Sequence, residues 1–152
     1  MIGNSEKVSA AGAVSRAARL IAAAGRRLYS DPATADLANL KAAICPDAAT
    51  LAREVDLLLV FGGDGTMLRV AREIAGSRTP ILGINIGSLG FLTAVQSANL
   101  AGALTRVWKG EFNYESRVLL EATGRCNGRI VRQRALNDLV ISRGLAPRLI
   151  RI

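Results

Sequence analysis

The segment Asp56-Leu57-Leu58-Leu59-Val60-Phe61-Gly62-Gly63-Asp64-Gly65-Thr66 carries the strongest structural signal in this chain. Its five consecutive apolar residues, followed by glycines, predict a strand that is buried on both faces. A helix is predicted from Thr66, as its N-cap, to about Ala75. Glycines let a ligand approach the backbone closely, and the first N–H groups of a helix attract anions. The lone carboxylate of Asp64 in such a phosphate-binding loop therefore indicates proton removal or metal binding.

Strands and helices alternate on both sides of this segment. Apolar residues from Val14 to Ala24 recur at helical spacing. Asp31-Pro32 predicts the start of a second helix, and Asp47 predicts the N-cap of a third. A second buried strand is predicted over Pro80–Asn85. Over residues 1–96, this alternation predicts an α/β domain with a parallel sheet and flanking helices.

The pattern changes over residues 97–152. A helix is predicted up to Gly110, followed by a half-exposed strand in the alternating segment Tyr114–Ala122. Asn127-Gly128 predicts a hairpin turn. Further strands are predicted over Ile130–Ala135, Leu139–Ser142 and Arg148–Ile152. We therefore expect a connecting helix and the first strands of an antiparallel β domain, with the chain ending inside that domain as the N-terminal piece of a longer protein.

Composition narrows the classes of function. The chain has 152 residues, of which 50% are hydrophobic, so a packed core is expected. Its net charge of +8 favours an anionic partner, but the basic residues are scattered and only 4% of residues are aromatic, which disfavours nucleic acid. The absence of histidine excludes histidine-based catalysis within the chain. We expect no membrane partner and a cytoplasmic location, because no apolar stretch approaches about 18 residues and no signal peptide is evident.

Two further segments carry candidate binding residues. Gly87-Ser88-Leu89-Gly90-Phe91 follows the second buried strand, so it is expected to line the same crevice as the first glycine loop. The alternative is a structural turn with Phe91 in the core. Asn137-Asp138 offers an amide beside a carboxylate, which can bind a base or a ribose. The alternative there is a simple turn.

Together, in this order and spacing, the three segments resemble the NAD kinase family. The GGDGT string alone is shared with diacylglycerol-kinase-type lipid kinases and phosphofructokinases. Those lipid kinases have a G-T-x-N-D-F pattern where this chain has Gly87–Phe91, which separates the two families. The usual third pair in NAD kinases is Asn-Glu, and Asp138 is shorter by one methylene. Other matching positions are Gly3-Asn4, Lys7 and Lys109-Gly110.

The resemblance implies transfer of a phosphoryl group from ATP or polyphosphate to the 2′-hydroxyl of the adenosine ribose of NAD, giving NADP. Asp64 matches the catalytic base, and Phe91 is expected to form an apolar wall of the nucleotide pocket. Mg²⁺ or another divalent cation is expected with ATP, although no residue is assigned as a metal ligand. A homo-oligomer is expected for the full-length protein. The implied residues that bind NAD or nucleotide are Gly62, Gly63, Asp64, Gly65, Thr66, Arg69, Gly90, Phe91, Asn137, Asp138 and Arg148.

Other readings of the sequence stay open at this point. The chain could belong to a lipid or sugar kinase of the GGDG superfamily, or act as a non-catalytic nucleotide-binding module. A basic nucleic-acid binder ranks last. Arg69 has the alternative of an exposed helix arginine, and Arg148 that of a solvated strand residue.

Overall fold

The structure, a computed structural model, describes residues 1–4, 9–87 and 90–140. It forms two compact units, Met1–Glu115 and Ser116–Ile152. The helices are α1 Ser9–Ala23, α2 Pro32–Ala38, α3 Ala48–Glu54, α4 Asp64–Glu73 and α5 Leu100–Trp108, with a 3₁₀ turn at Ser97–Asn99. The strands are β1 Ile2–Gly3, β2 Tyr29–Ser30, β3 Ala43–Ile44, β4 Leu58–Gly62, β5 Ile81–Asn85, β6 Val95–Gln96, β7 Leu120–Cys126 and β8 Arg129–Ala135.

The first unit is built on parallel strands. Four of them form a sheet in the order β1-β4-β5-β6, and β2 and β3 pair separately. The Ser30 hydroxyl and the Asp31 N–H both donate to the Met1 carbonyl, which places β2 beside β1. The connection after β1 thus leads to β2, beyond one side of β1, and the connection after β4 leads to β5, on the opposite side of the sheet. Open parallel sheets bind ligands at the carboxyl ends of strands where connections diverge in this way.

Strand β4 is buried along its whole length because both of its faces are covered. Leu59 and Phe61 pack into one cluster with α1 and α5. Leu58 and Val60 face the opposite way and pack against α3 and α4. The prediction of a buried parallel strand with helices on both faces is therefore confirmed, with bounds shifted by one residue.

Local capping chemistry decides where the helices begin. Asp31 accepts a hydrogen bond from the Thr34 N–H at 3.2 Å, and Asp47 accepts one from the Thr50 N–H at 2.6 Å, as predicted for α2 and α3. Helix α4 begins earlier than predicted, at Asp64, with Gly63 as its N-cap. The prediction of Thr66 as N-cap is wrong, because this residue already lies within the first turn, where its N–H donates to the Gly63 carbonyl.

The second unit contains an antiparallel hairpin of β7 and β8. Its turn residues Asn127 and Gly128 have φ angles of 50° and 76°, which confirms the predicted hairpin turn. The predicted strand over Tyr114–Ala122 is wrong in its first part, since β7 begins at Leu120. Within the described ranges, residues 114–119 belong to no strand, and the ladder with β8 pairs residues only from Leu120 onward.

The remaining strand predictions fall at the end of the chain. Leu139 and Val140 lie outside any strand. The rest of Leu139–Ser142, and all of Arg148–Ile152, lie outside the described residues.

Helix α5 falls in the first compact unit, where it packs on α1. The sequence places this helix with the second region, 97–152. The proposed domain division after residue 96 stays a prediction. The α/β class is confirmed, with a parallel sheet, flanking helices and an antiparallel hairpin.

Candidate active site

Two loops leave the sheet side by side at the carboxyl ends of β4 and β5. Gly62, the last residue of β4, lies in register with Asn85, the last residue of β5. The first loop is one residue long, because Gly63 leads directly into α4. Asp64 therefore stands at the first position of a helix, beside the segment that follows β5.

The carboxylate of Asp64 binds the backbone of that segment. The Phe91 N–H donates to Oδ2 at 2.9 Å, and the Leu92 N–H donates to Oδ1 at 3.0 Å. These two bonds, the Phe91 bond first, lower the pKa of Asp64, while desolvation opposes them weakly. The side chain is thus an ionised acceptor that joins the two loops. That Asp64 faces a ligand stays a prediction.

The glycines of the site divide into two groups. A Cβ on Gly62 would lie 2.6 Å from the Cβ of Thr66, and one on Gly90 would lie 2.6 Å from the Cγ of Asp64. Neither position has room for a side chain. A Cβ on Gly63 or Gly65 would meet nothing within 4 Å. The packing of this chain therefore requires glycine at 62 and 90, while the space beside 63 and 65 is open to a ligand.

The other predicted residues of the first unit lie nearby on the surface. Arg69 is exposed on α4, and its guanidinium pairs with Glu73 at 3.1 Å. Phe91 is 97% exposed, so the alternative of a core phenylalanine is wrong. The structure thus brings the glycine loop, Gly90 and Phe91 together, while the Arg69 guanidinium lies on Glu73, further along α4.

The predicted residues of the second region are placed differently. Asn137 and Asp138 are exposed just after β8, in the second unit. Arg148 lies outside the described residues. The roles predicted for these three residues stay predictions.

A buried polar pair at the site was not predicted from the sequence. Asn85 and Thr93 are only 3% and 7% exposed, and the Asn85 amide Nδ2 donates to the Thr93 Oγ1 at 3.0 Å. The Asn85 Oδ1 accepts from the Gly87 N–H at 2.7 Å. The available signal was an asparagine at the end of an apolar strand, since a buried amide requires partners.

Two further findings concern the described residues only. They contain no group of three or more Cys, Asp or Glu that could hold a metal ion. None of their helices is long and apolar enough to span a membrane.

A family model described as "ATP-NAD kinase N-terminal domain" matches residues 1–112. The chain belongs to the NAD kinase family. An NAD kinase of Syntrophotalea carbinolica is 45% identical over 105 residues, covering 68% of this chain and 37% of that protein. An NAD kinase of Caldanaerobacter subterraneus is 47% identical over 98 residues, covering 64% of this chain and 35% of that protein.

A solved structure of yeast NADH kinase complexed with NADH has the same fold. It aligns with a TM-score of 0.77 and 18% identity, covering 89% of this chain and 45% of that one. The chain spans 37% and 35% of the length of the two relatives above.

Proposed function

We propose that the protein containing this chain transfers the γ-phosphoryl group of ATP to the 2′-hydroxyl of the adenosine ribose of NAD, giving NADP. The observation that supports this most directly is the place of Asp64. Its ionised carboxylate stands at the divergence of the parallel sheet, between two glycines that have open space beside them, in a member of the NAD kinase family.

Asp64 acts on the ribose hydroxyl. A carboxylate has about four acceptor positions, so Asp64 can accept a hydrogen bond from a hydroxyl while it keeps both backbone N–H bonds. Its lowered pKa makes it a weak base that orients the nucleophile and receives its proton late in the transfer. Phosphoryl transfer depends mainly on positioning and charge stabilisation, so a strong base is not required.

The start of α4 and Arg69 bind the phosphates. The helical hydrogen bonds of the first turn begin with the N–H groups of Thr66 and Met67, both to the Gly63 carbonyl. The N–H groups before them point out of the helix N-terminus, where an anion is favoured. Arg69 can exchange its exposed partner Glu73 for a phosphate, since exposed ion pairs contribute at most about 1 kcal/mol.

The residues present fit a divalent cation that arrives with ATP. Mg²⁺ usually keeps several waters and is bound by one or two carboxylates together with substrate phosphates, so a protein cluster of three ligands is not needed. When bound, Mg²⁺ or another divalent cation offsets the negative charge of the phosphates.

The remaining parts of the proposal rest on the family resemblance. Asn137, Asp138 and Arg148 contribute to the NAD site, and the full-length protein is a homo-oligomer. The protein works in the cytoplasm, where its proposed substrates NAD and ATP are found. Nucleic acid and membranes are not partners.

The test uses the full-length protein, with ATP or polyphosphate as donor and NAD as acceptor, and measures NADP. Asp64→Asn should lower the rate by a factor of about 10² to 10⁴ while NAD binding changes little. The amide has nearly the size of the carboxylate but cannot take a proton, and its Nδ2 gives up only one of the two backbone N–H bonds. Asp36→Asn, an exposed position on α2, is the matched control and should keep the wild-type rate.

Three outcomes contradict the proposal. Asp64→Asn with the wild-type rate removes the role of the carboxylate. Phosphorylation of diacylglycerol or fructose 6-phosphate, with none of NAD, identifies a different kinase of the superfamily. NAD binding without turnover of the wild-type protein identifies a non-catalytic binding module.

A further inference from the structure

The segment between β5 and β6 is closed at its base by the buried pair Asn85 and Thr93. The Asn85 amide reaches across eight residues of sequence to the Thr93 hydroxyl at 3.0 Å. Its carbonyl oxygen also accepts the Gly87 N–H at 2.7 Å. One buried side chain thus binds both ends of the segment.

Close packing against β5 holds the Thr93 end of this segment. A Cβ on Gly83 would lie 3.1 Å from the Thr93 Cα and 3.2 Å from the Leu92 carbonyl oxygen. The backbone of these two residues therefore lies directly on the strand. Thr93 is fixed by packing on one side and by the Asn85 amide on the other, so the preceding N–H groups have little freedom to move.

Those preceding N–H groups are the ones that hold Asp64. Phe91 and Leu92 donate to its two oxygens at 2.9 Å and 3.0 Å. The structure assigns Asn85 and Thr93 as positioning residues, which keep the N–H groups of Phe91 and Leu92 on the Asp64 carboxylate and so set its direction towards a substrate. The catalytic consequence of this assignment rests on the proposed function, but the contact itself does not.

Charged side chains do not account for the state of Asp64. The lowered pKa of its carboxyl comes from the Phe91 and Leu92 N–H groups, and desolvation acts in the opposite direction. Arg69, which follows one turn later on α4, has its guanidinium on Glu73. Displacement of the two N–H groups should therefore be visible directly in the titration of Asp64.

The first experiment measures the pKa of Asp64 by carboxyl-carbon NMR in this chain, with no substrate and no turnover. Thr93→Val removes the hydroxyl at constant shape and should raise the pKa of Asp64 towards the ordinary carboxyl value. Thr93→Ser keeps a hydroxyl and should restore the wild-type pKa. Thr105→Val is the matched control, because it removes an exposed hydroxyl that bonds only its own helix at Ala101.

A folded Thr93→Val chain with the wild-type pKa of Asp64 overturns the assignment. A second measurement holds even where that variant does not fold. In the wild-type chain, the amide signals of Phe91 and Leu92 should shift with pH at the same midpoint as the Asp64 carboxyl, and Asp64→Asn should abolish both shifts. Amide signals that do not follow the carboxyl overturn the assignment as well.

The catalytic consequence is measured separately in the full-length protein. Thr93→Val should lower kcat for NADP formation by about tenfold or more and move the acid limb of the pH profile upward, and Thr93→Ser should restore both. If Thr93→Val alters the titration of Asp64 but the wild-type protein does not phosphorylate NAD, the positioning role of Asn85 and Thr93 is supported and the proposed function is wrong. Wild-type kinetics in Thr93→Val, despite an altered titration, removes the catalytic consequence.

Discussion

Replacing Gly62 with alanine should destabilise the first unit by overpacking. The added Cβ would lie 2.6 Å from the Cβ of Thr66 and 3.0 Å from its Cγ2. The Cβ of Thr66 is fixed by the backbone of α4, so rotation of the side chain cannot relieve the contact. Either the strand or the helix must shift.

Overpacking of this kind costs about 1–3 kcal/mol, and about 2 kcal/mol is a reasonable expectation for two such contacts. For a chain of 152 residues, that corresponds to a melting temperature lower by about 4–8 °C. The urea midpoint should fall by about 1 M if the slope is about 2 kcal/mol/M. Trp108, the single tryptophan, lies in the first unit, and its fluorescence reports the unfolding of that unit.

Gly63→Ala is the matched control. Its φ of −105° suits alanine, and a Cβ there meets nothing within 4 Å, so the free energy of unfolding should stay within about 0.5 kcal/mol of the wild type. Thr66→Gly removes the side chain that Gly62→Ala strikes, so the double variant should show a favourable coupling of at least about 1 kcal/mol. Equal midpoints for Gly62→Ala and Gly63→Ala, or zero coupling in the cycle, would refute the packing argument.

Three other predictions concern stability. The pKa of Asp47 is lowered chiefly by the Thr50 N–H, so its carboxylate contributes stability above the unfolded-state pKa and loses it as the pH falls through the lower folded pKa. The melting-temperature difference between the wild type and Asp47→Ala should therefore be constant near neutral pH and shrink in acid. A difference that does not depend on pH contradicts this. Asn127→Ala should destabilise the hairpin by about 1 kcal/mol because position 127 has a φ of 50°, whereas Asn127→Gly should not. The measurement is the protection of the hairpin amides from hydrogen exchange, and equal protection in both variants contradicts the argument. Phe61→Ala should lower the free energy of unfolding by about 3–5 kcal/mol, and Phe61→Leu by clearly less, as measured by urea unfolding. The reason is that the ring is fully buried in the core cluster that contains α1 and α5, and equal losses for the two variants contradict the cavity argument.

The elements predicted correctly from the sequence are those with local signals. Strand β4 reads as one apolar run because helices cover both of its faces. The caps Asp31 and Asp47 were found because each carboxylate bonds an N–H three residues away. Asn127-Gly128 likewise determines its own turn.

The features that escaped prediction depend on distant partners. Strands β3 and β6 have two residues each, too few to show a period, and exist because a neighbouring strand pairs with them. The bond from the Phe91 N–H to Asp64 spans 27 residues of sequence, and no local sequence pattern predicts it. In the segment Tyr114–Ala122, apolar and polar residues alternate as in a strand, but only the last residues of the segment pair with β8.

Phe91 combines an exposed ring with a backbone N–H that donates to Asp64. Because the main chain alone holds Asp64, the side chain at position 91 can change without loosening that hold. Evolution can therefore vary the group beside the proposed ligand site while the proposed base stays where it is. The same separation makes Phe91→Trp a suitable place for a fluorescent reporter of ligand arrival.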